Sequence, residues 1–182
     1  MPDVGQAWRF LEQSDPVASA ADVQAAIERL ANEIHASFAQ RYPLVLAVMG
    51  GAVVFAGQLL PRLRFPLDFD YIHATRYGDR TQGTAVRWRV GPGEGVRGRH
   101  VLVLDDIFDA GQTMGAIRDR LQTSGVASFA CAVLVEKALR QSKPLHPDFV
   151  GLQVPDRFVF GCGMDAKGYW RNLPEIRAVR NG

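Results

Sequence analysis

Cysteine is scarce: Cys131 and Cys162 are the only two in 182 residues, and neither stands in a CxxC pair or at a ligand spacing with histidine. Neither a disulfide framework nor a zinc site is suggested, and a reducing compartment, the cytoplasm, is expected. A strong charge of one sign is also missing. Lys and Arg number 21 against 19 Asp and Glu, a formal net charge of +2. That is too little to imply indiscriminate nucleic-acid binding, so any recognition must rest on local charge. No apolar run is long enough for a membrane span. The longest, Pro43 to Gly57, is interrupted by Gly50 and Gly51 and reads as strand, glycine turn and helix. The opening residues MPDVGQAWRF lack a basic segment ahead of a long apolar one, so neither export nor membrane attachment is expected. Repeats, low-complexity blocks and a linker between folding units are absent too. The histidines His35, His73, His100 and His146 share no ligand spacing, and none is given a role.

What remains is ordinary globular composition, 47% hydrophobic and 22% charged, in a chain long enough for one domain with a substantial core. Val23, Ile27, Leu30, Ile34 and Phe38 recur every three or four residues, the spacing of an amphipathic helix, with Ser19 and Asp22 placed to cap its start. Apolar runs follow at Leu44 to Met49, Leu67 to Ala74, Val101 to Leu104 and Ala127 to Val135. Helical segments near Ala52 to Leu60 and Thr113 to Leu121 fall between some of them. Strands alternating with helices predict an α/β fold with a parallel sheet. Between Arg76 and Gly98 the chain turns rich in Gly, Arg and Thr and loses regular spacing, which predicts a flap or twisted hairpin.

The stretch VLVLDDIFDAGQT, Val101 to Thr113, carries the chemistry. Four unbroken branched residues fit a central parallel strand covered on both faces, and ligands of such sheets gather beyond the strands' carboxyl ends. Asp105, Asp106 and Asp109 are expected there. A lone Asp at such a turn is best read as a helix cap, but three together with Gly111 and Thr113 point elsewhere. The glycine permits close backbone approach, and the free amides and the Thr113 hydroxyl at a helix start can surround a phosphate. Carboxylates beside a phosphate nest suit a sugar phosphate.

This stretch resembles the 5-phosphoribosyl-1-pyrophosphate (PRPP) signature of type I phosphoribosyltransferases. VEK at Val135 to Lys137, PDFVGLQVPDRFVFGCGMD at Pro147 to Asp165 and YWRNLP at Tyr169 to Pro174 follow in the order seen in the hypoxanthine-guanine group. The resemblance implies a type I phosphoribosyltransferase fold: a parallel sheet flanked by helices, a small C-terminal hood and a flexible flap. One domain is expected over 1–182, with an N-terminal helical segment at 1–42, a core sheet at 43–145, and hood and C-terminal segment at 146–182. It further implies a magnesium-dependent transfer of phosphoribosyl from PRPP to a purine, with a homodimer or homotetramer as the assembly.

The same resemblance distributes the roles. Asp105, Asp106, Asp109, Ala110, Gly111, Gln112 and Thr113 bind PRPP. Asp109 is the catalytic acid or base at N7 of the purine, and Asp105, Asp106 and Asp165 are magnesium ligands. Gly50, Gly51 and Arg171 take the pyrophosphate. Lys137, Phe158, Val159, Met164 and Asp165 form the purine pocket: Lys137 donates to a 6-oxo group, Phe158 stacks, the Val159 backbone reads the edge and Met164 closes the other face. Taken singly, Phe158 and Met164 would be read as core, and Lys137 and Arg171 as solvated surface charges.

Two departures from the family pattern stand out. Gly50, in VMGGAV, takes the place of a common lysine. Arg76 and Tyr77 take the place of the lid's Ser-Tyr pair. Other readings are a regulator of the same fold that binds nucleic acid, and a transferase for another base. Retention of Asp109 favours catalysis, and Lys137 with Phe158 favours purines.

Overall fold

The computed structural model describes residues 3–77, 85–139 and 141–180, with side chains at 76, 77 and 85 left aside. Its elements are α1 (Val4–Glu12), β1 (Ser14–Ala18), α2 (Ala20–Phe38), β2 (Leu44–Val48), α3 (Val53–Leu59), β3 (Asp68–Tyr77), β4 (Ala85–Val90), β5 (His100–Phe108), α4 (Gln112–Thr123), β6 (Ser128–Lys137), β7 (Phe149–Val154), β8 (Val159–Phe160) and β9 (Ile176–Val179). The main sheet has the order β4-β3-β2-β5-β6-β7. Four of its five pairings are parallel, and β4 runs antiparallel to β3. Helices cover both faces, as the unbroken apolar runs of β2 and β5 require. This is the expected α/β architecture.

The capping box at α2 forms as its sequence predicts: the Ser19 hydroxyl accepts from the Asp22 amide, and the Asp22 carboxylate accepts from the Ser19 amide. The Ser19 hydroxyl also donates to the Asp22 carboxylate, and that bond, followed by the one from the Ser19 amide, holds the Asp22 carboxyl below its ordinary value. From this start Val23, Ile27, Leu30, Ile34 and Phe38 all turn inward, into the core that α2 and α3 share with one face of the sheet. Met114, Ile117 and Leu121 of α4 pack with Val101, Val103 and Val133 on the other face.

Two boundaries differ from the sequence reading. The main sheet does not end at residue 145, because β7 pairs in parallel with β6 and packs on α2. The segment before residue 43 is not only helical, because β1 pairs antiparallel with β9 and joins β8 in a separate three-stranded sheet. Ser14–Ala18 is short, carries Pro16 and finds its partner more than 150 residues away. Nothing local marks it as a strand, and an edge position tolerates the proline.

Both cysteines are free and buried, and burial pushes the thiols up to about 12 at Cys131 and about 11 at Cys162. The region read as a flap is a β3–β4 hairpin whose connection, 78–84, lies outside the described residues, as do the side chains of Arg76 and Tyr77. Among the described residues, no helix is long and apolar enough to cross a membrane.

Candidate active site

Beyond the carboxyl ends of β2, β3 and β5 lies a cleft of about 450 Å³. Strand β5 runs further than its apolar residues indicate. Asp105, Ile107 and Phe108 still pair with β6, so Asp105 and Asp106 lie within the strand and are both buried. The Asp105 carboxylate accepts from the Asp106 amide at 3.0 Å, and the Asp106 carboxylate from the Ile107 amide at 2.8 Å. Burial raises the Asp106 carboxyl above its ordinary value; the hydrogen bond with Asp105 and the Arg171 guanidinium oppose that shift without cancelling it.

Asp109, Gly111 and Thr113 also line the cleft. None of the three aspartates caps α4: the N-cap is Gly111, in the left-handed region at φ +77°, with no side-chain cap bond. A β-carbon at Gly111 would also lie 2.7 Å from the Phe108 ring. Glycine therefore sets the tight turn that starts α4 beside the cleft. Ala110 and Gln112 belong to the same turn but are not among the lining residues.

Gly50 and Gly51 form the opposite wall, after a cis peptide between Met49 and Gly50. A β-carbon on Gly51 would fall 2.1 Å from the Asp106 carboxylate, and one on Gly163 would fall 2.0 Å from the Gly51 carbonyl oxygen. Gly51 is thus pressed between the Asp106 carboxylate and the Gly163 backbone of the hood. The hood also delivers Asp165 and Arg171 to the cleft. The Arg171 guanidinium donates to Asp165 and to the Gly163 carbonyl, while the second Asp165 oxygen accepts from the Gly168 amide at 2.7 Å.

The expected base pocket is only partly assembled on this lining. Lys137 lies beside the cleft, its Nζ 3.5 Å from the Asp109 carboxylate and 3.9 Å from that of Asp156. Phe158, just before β8, is 55% exposed. Val159 is buried behind it. Met164, expected to close the other face of the purine, is buried against the main core beside the Gly161–Met164 bridge and is not among the residues that line the cleft. His73 and Thr75, at the end of β3, line the cleft without having been singled out. They lie just past the parallel β2–β3 register, where β3 pairs with β4, and their alternate spacing turns both to one face.

A model of the phosphoribosyl transferase domain family matches residues 16–167. A hypoxanthine-guanine phosphoribosyltransferase of Staphylococcus epidermidis is 30% identical over 159 residues, covering 85% of this chain and 89% of that protein. This chain belongs to the hypoxanthine-guanine phosphoribosyltransferase family. The crystal structure of a family member from Bacillus anthracis superposes with a TM-score of 0.85 at 30% identity, covering 91% of this chain and 98% of that one. A bifunctional protein TilS/HprT of Listeria innocua is 33% identical over 160 residues; the match takes in 87% of this chain but only 25% of that protein's length. The cleft lies where the stretch from Val101 to Thr113 ends, and the hood contributes Asp165 and Arg171 to its lining.

The buried carboxylate makes a prediction separable from activity. Because the Asp106 pKa is raised in the fold, its ionised form costs stability above the pKa of the unfolded chain, and that cost is relieved as pH falls through the folded value. Asp106→Asn keeps an acceptor for the Ile107 amide without the charge. In metal-free buffer at pH 8 the variant is expected to melt about 2–4 °C higher for each kcal/mol recovered, with the gap closing toward acid. A lower melting temperature than the parent at pH 8 would refute this.

Proposed function

We propose that the protein transfers phosphoribosyl from PRPP to hypoxanthine or guanine, releasing pyrophosphate and forming the nucleoside monophosphate. The observation that carries this reading is the Lys137–Asp109 pair, 3.5 Å apart, which sets the Lys137 ammonium beside the cleft that Asp109 lines. A 6-oxopurine presents O6 and N7 side by side on one edge. A donor-only ammonium next to a carboxylate matches that edge: Lys137 donates to O6 while Asp109 faces N7. As N9 bonds to the anomeric carbon, the bond from that carbon to pyrophosphate oxygen breaks, and Asp109 takes the proton leaving N7. The exposed Phe158 ring supplies a stacking face. Purine recognition is thereby assigned to Lys137, Phe158 and the Val159 backbone.

The turn from Asp109 to Thr113 is read as the 5-phosphate nest, and Asp105 and Asp106 as partners of the ribose hydroxyls. Arg171, a planar, permanently charged fork, takes the pyrophosphate with the backbone of Gly50 and Gly51. The lining is otherwise acidic: among the described residues, Asp105, Asp106, Asp109 and Asp165 share it with a single arginine. Such a wall would repel a substrate carrying three phosphates unless a divalent cation accompanied it. Among the described residues no three ligand-type side chains converge on one point, which suits magnesium, because it binds through one or two carboxylates plus substrate oxygens and water. Asp105 and Asp106 would hold it, with Asp165 joining after releasing Arg171; when bound it neutralises charge on the departing pyrophosphate. Closure of the β3–β4 hairpin, with Arg76 and Tyr77, would exclude water. The whole chain is read as one catalytic unit, cytoplasmic and self-associating as a dimer or tetramer.

Incubation with PRPP, magnesium and hypoxanthine or guanine is expected to yield the nucleotide and pyrophosphate in equal amounts, and rigorous chelation is expected to abolish both. Turnover that survives chelation would remove magnesium from the account. Absence of any nucleotide product would remove the activity.

A further inference from the structure

Helix α1 buries none of its residues, yet its contacts converge on the turn that leads into Arg171. The Tyr169 hydroxyl lies 3.3 Å from both the Asp3 amide and the Gln6 side-chain oxygen. The Trp170 indole N–H donates to the Ala7 carbonyl at 2.8 Å. The Trp8 ring meets the Trp170 ring edge-on, with centroids 4.9 Å apart. Phe10 packs in the same manner on Phe160 of β8, at 5.3 Å. One helix thus grips both the hood sheet and residues 169 and 170. Except for Phe160, these residues lie outside the part of the chain matched by the family model, 16–167.

The grip has a conformational consequence. Trp170 has φ +67°, a left-handed backbone that bulky side chains rarely adopt and that persists only where surroundings enforce it. The next residue is Arg171, whose carbonyl accepts from the Gly163 amide at 2.8 Å and whose guanidinium reaches back to Gly163 and Asp165. Those partners belong to the hood segment that packs on Gly51 through Gly163 and enters the core at Met164. Helix α1 adds a separate tie at residues 169 and 170, because it continues into β1, which is paired with β9.

We propose that α1 is a strap: Trp8 and the Ala7 carbonyl hold Trp170 in its left-handed conformation and so aim Arg171 into the cleft, which makes Trp8 and Trp170 positioning residues for the pyrophosphate end of the substrate. The inference rests on the reading of Arg171 as a pyrophosphate ligand. It concerns one end of the substrate only, so its signature is selective.

The test uses the full chain. Replacing Trp8 by Ala is expected to weaken magnesium pyrophosphate binding, measured by calorimetry, by about 5- to 20-fold, and to raise the KM for PRPP in parallel. The KM for hypoxanthine should stay unchanged, and Trp8→Phe should restore most of the loss. Trp170→Phe keeps a ring and removes only the indole donor to Ala7; it should weaken pyrophosphate binding in the same direction, and it serves as the test if Trp8→Ala fails to fold. Tryptophan emission should change on adding pyrophosphate to the parent protein and not to Arg171→Ala. Folded variants at Trp8 and Trp170 that bind pyrophosphate as the parent does would overturn the strap, as would an equal loss for pyrophosphate and hypoxanthine. If the parent binds pyrophosphate but makes no nucleotide, the proposed activity fails and the strap is still judged by these affinities. If the parent does not bind pyrophosphate, both fail.

Discussion

Asp109→Asn is expected to lower kcat by about 10²–10⁴ while PRPP binding changes little. Asparagine matches aspartate in shape and keeps an oxygen toward the purine edge, but it cannot take the proton that leaves N7. Asp109 lies in the turn before Gly111 and is partly exposed, with Lys137 as its ion-pair partner, so the substitution leaves no buried charge stranded. Lys137 retains Asp156 at 3.9 Å. The defect therefore belongs in turnover rather than in ground-state binding, and a comparison of kcat with the PRPP dissociation constant separates the two. A variant that kept full kcat would end the assignment of Asp109 as the proton acceptor.

The second large effect is expected at Lys137. Its side chain is only 13% exposed and points between two carboxylates, a placement that a solvated surface lysine would not hold. Methionine matches the length of the stem but offers O6 no donor. A hydrogen bond to a charged group contributes about 1.5–3 kcal/mol, so Lys137→Met should cost roughly 10- to 100-fold in kcat/KM for hypoxanthine and guanine, with the preference over adenine reduced. If the variant loses activity but keeps its preference, discrimination moves to the backbone around Val159. If it loses neither, Lys137 is not part of the base site.

The sequence discloses the chemistry of this protein more readily than the way its hood is assembled. Helix α2, the buried strands and the phosphate turn are local: apolar spacing, a capping pair and a glycine before a helix are all readable within a dozen residues. The hood is not local. Strand β1 and helix α1 find their partners at separations above 150 residues, through edge pairing and aromatic contacts with no short-range signature. Met164 is marked for the purine by its motif position, whereas its burial against the core depends on packing with residues far away in the sequence. His73 lines the cleft although its lack of ligand spacing gave no reason to single it out. Its place at the end of β3 becomes informative only once the strand order is known.

The most direct measurement compares kcat/KM of the unmodified protein for hypoxanthine, guanine and adenine at fixed PRPP and magnesium. Adenine carries a 6-amino donor where the 6-oxopurines carry an acceptor, so it would set donor against donor at Lys137. Stacking on Phe158 hardly distinguishes the three bases. A site built on such a hydrogen bond rejects a base lacking it by about 10⁴. The account predicts efficient use of hypoxanthine or guanine with adenine lower by that order; comparable use of adenine would contradict it.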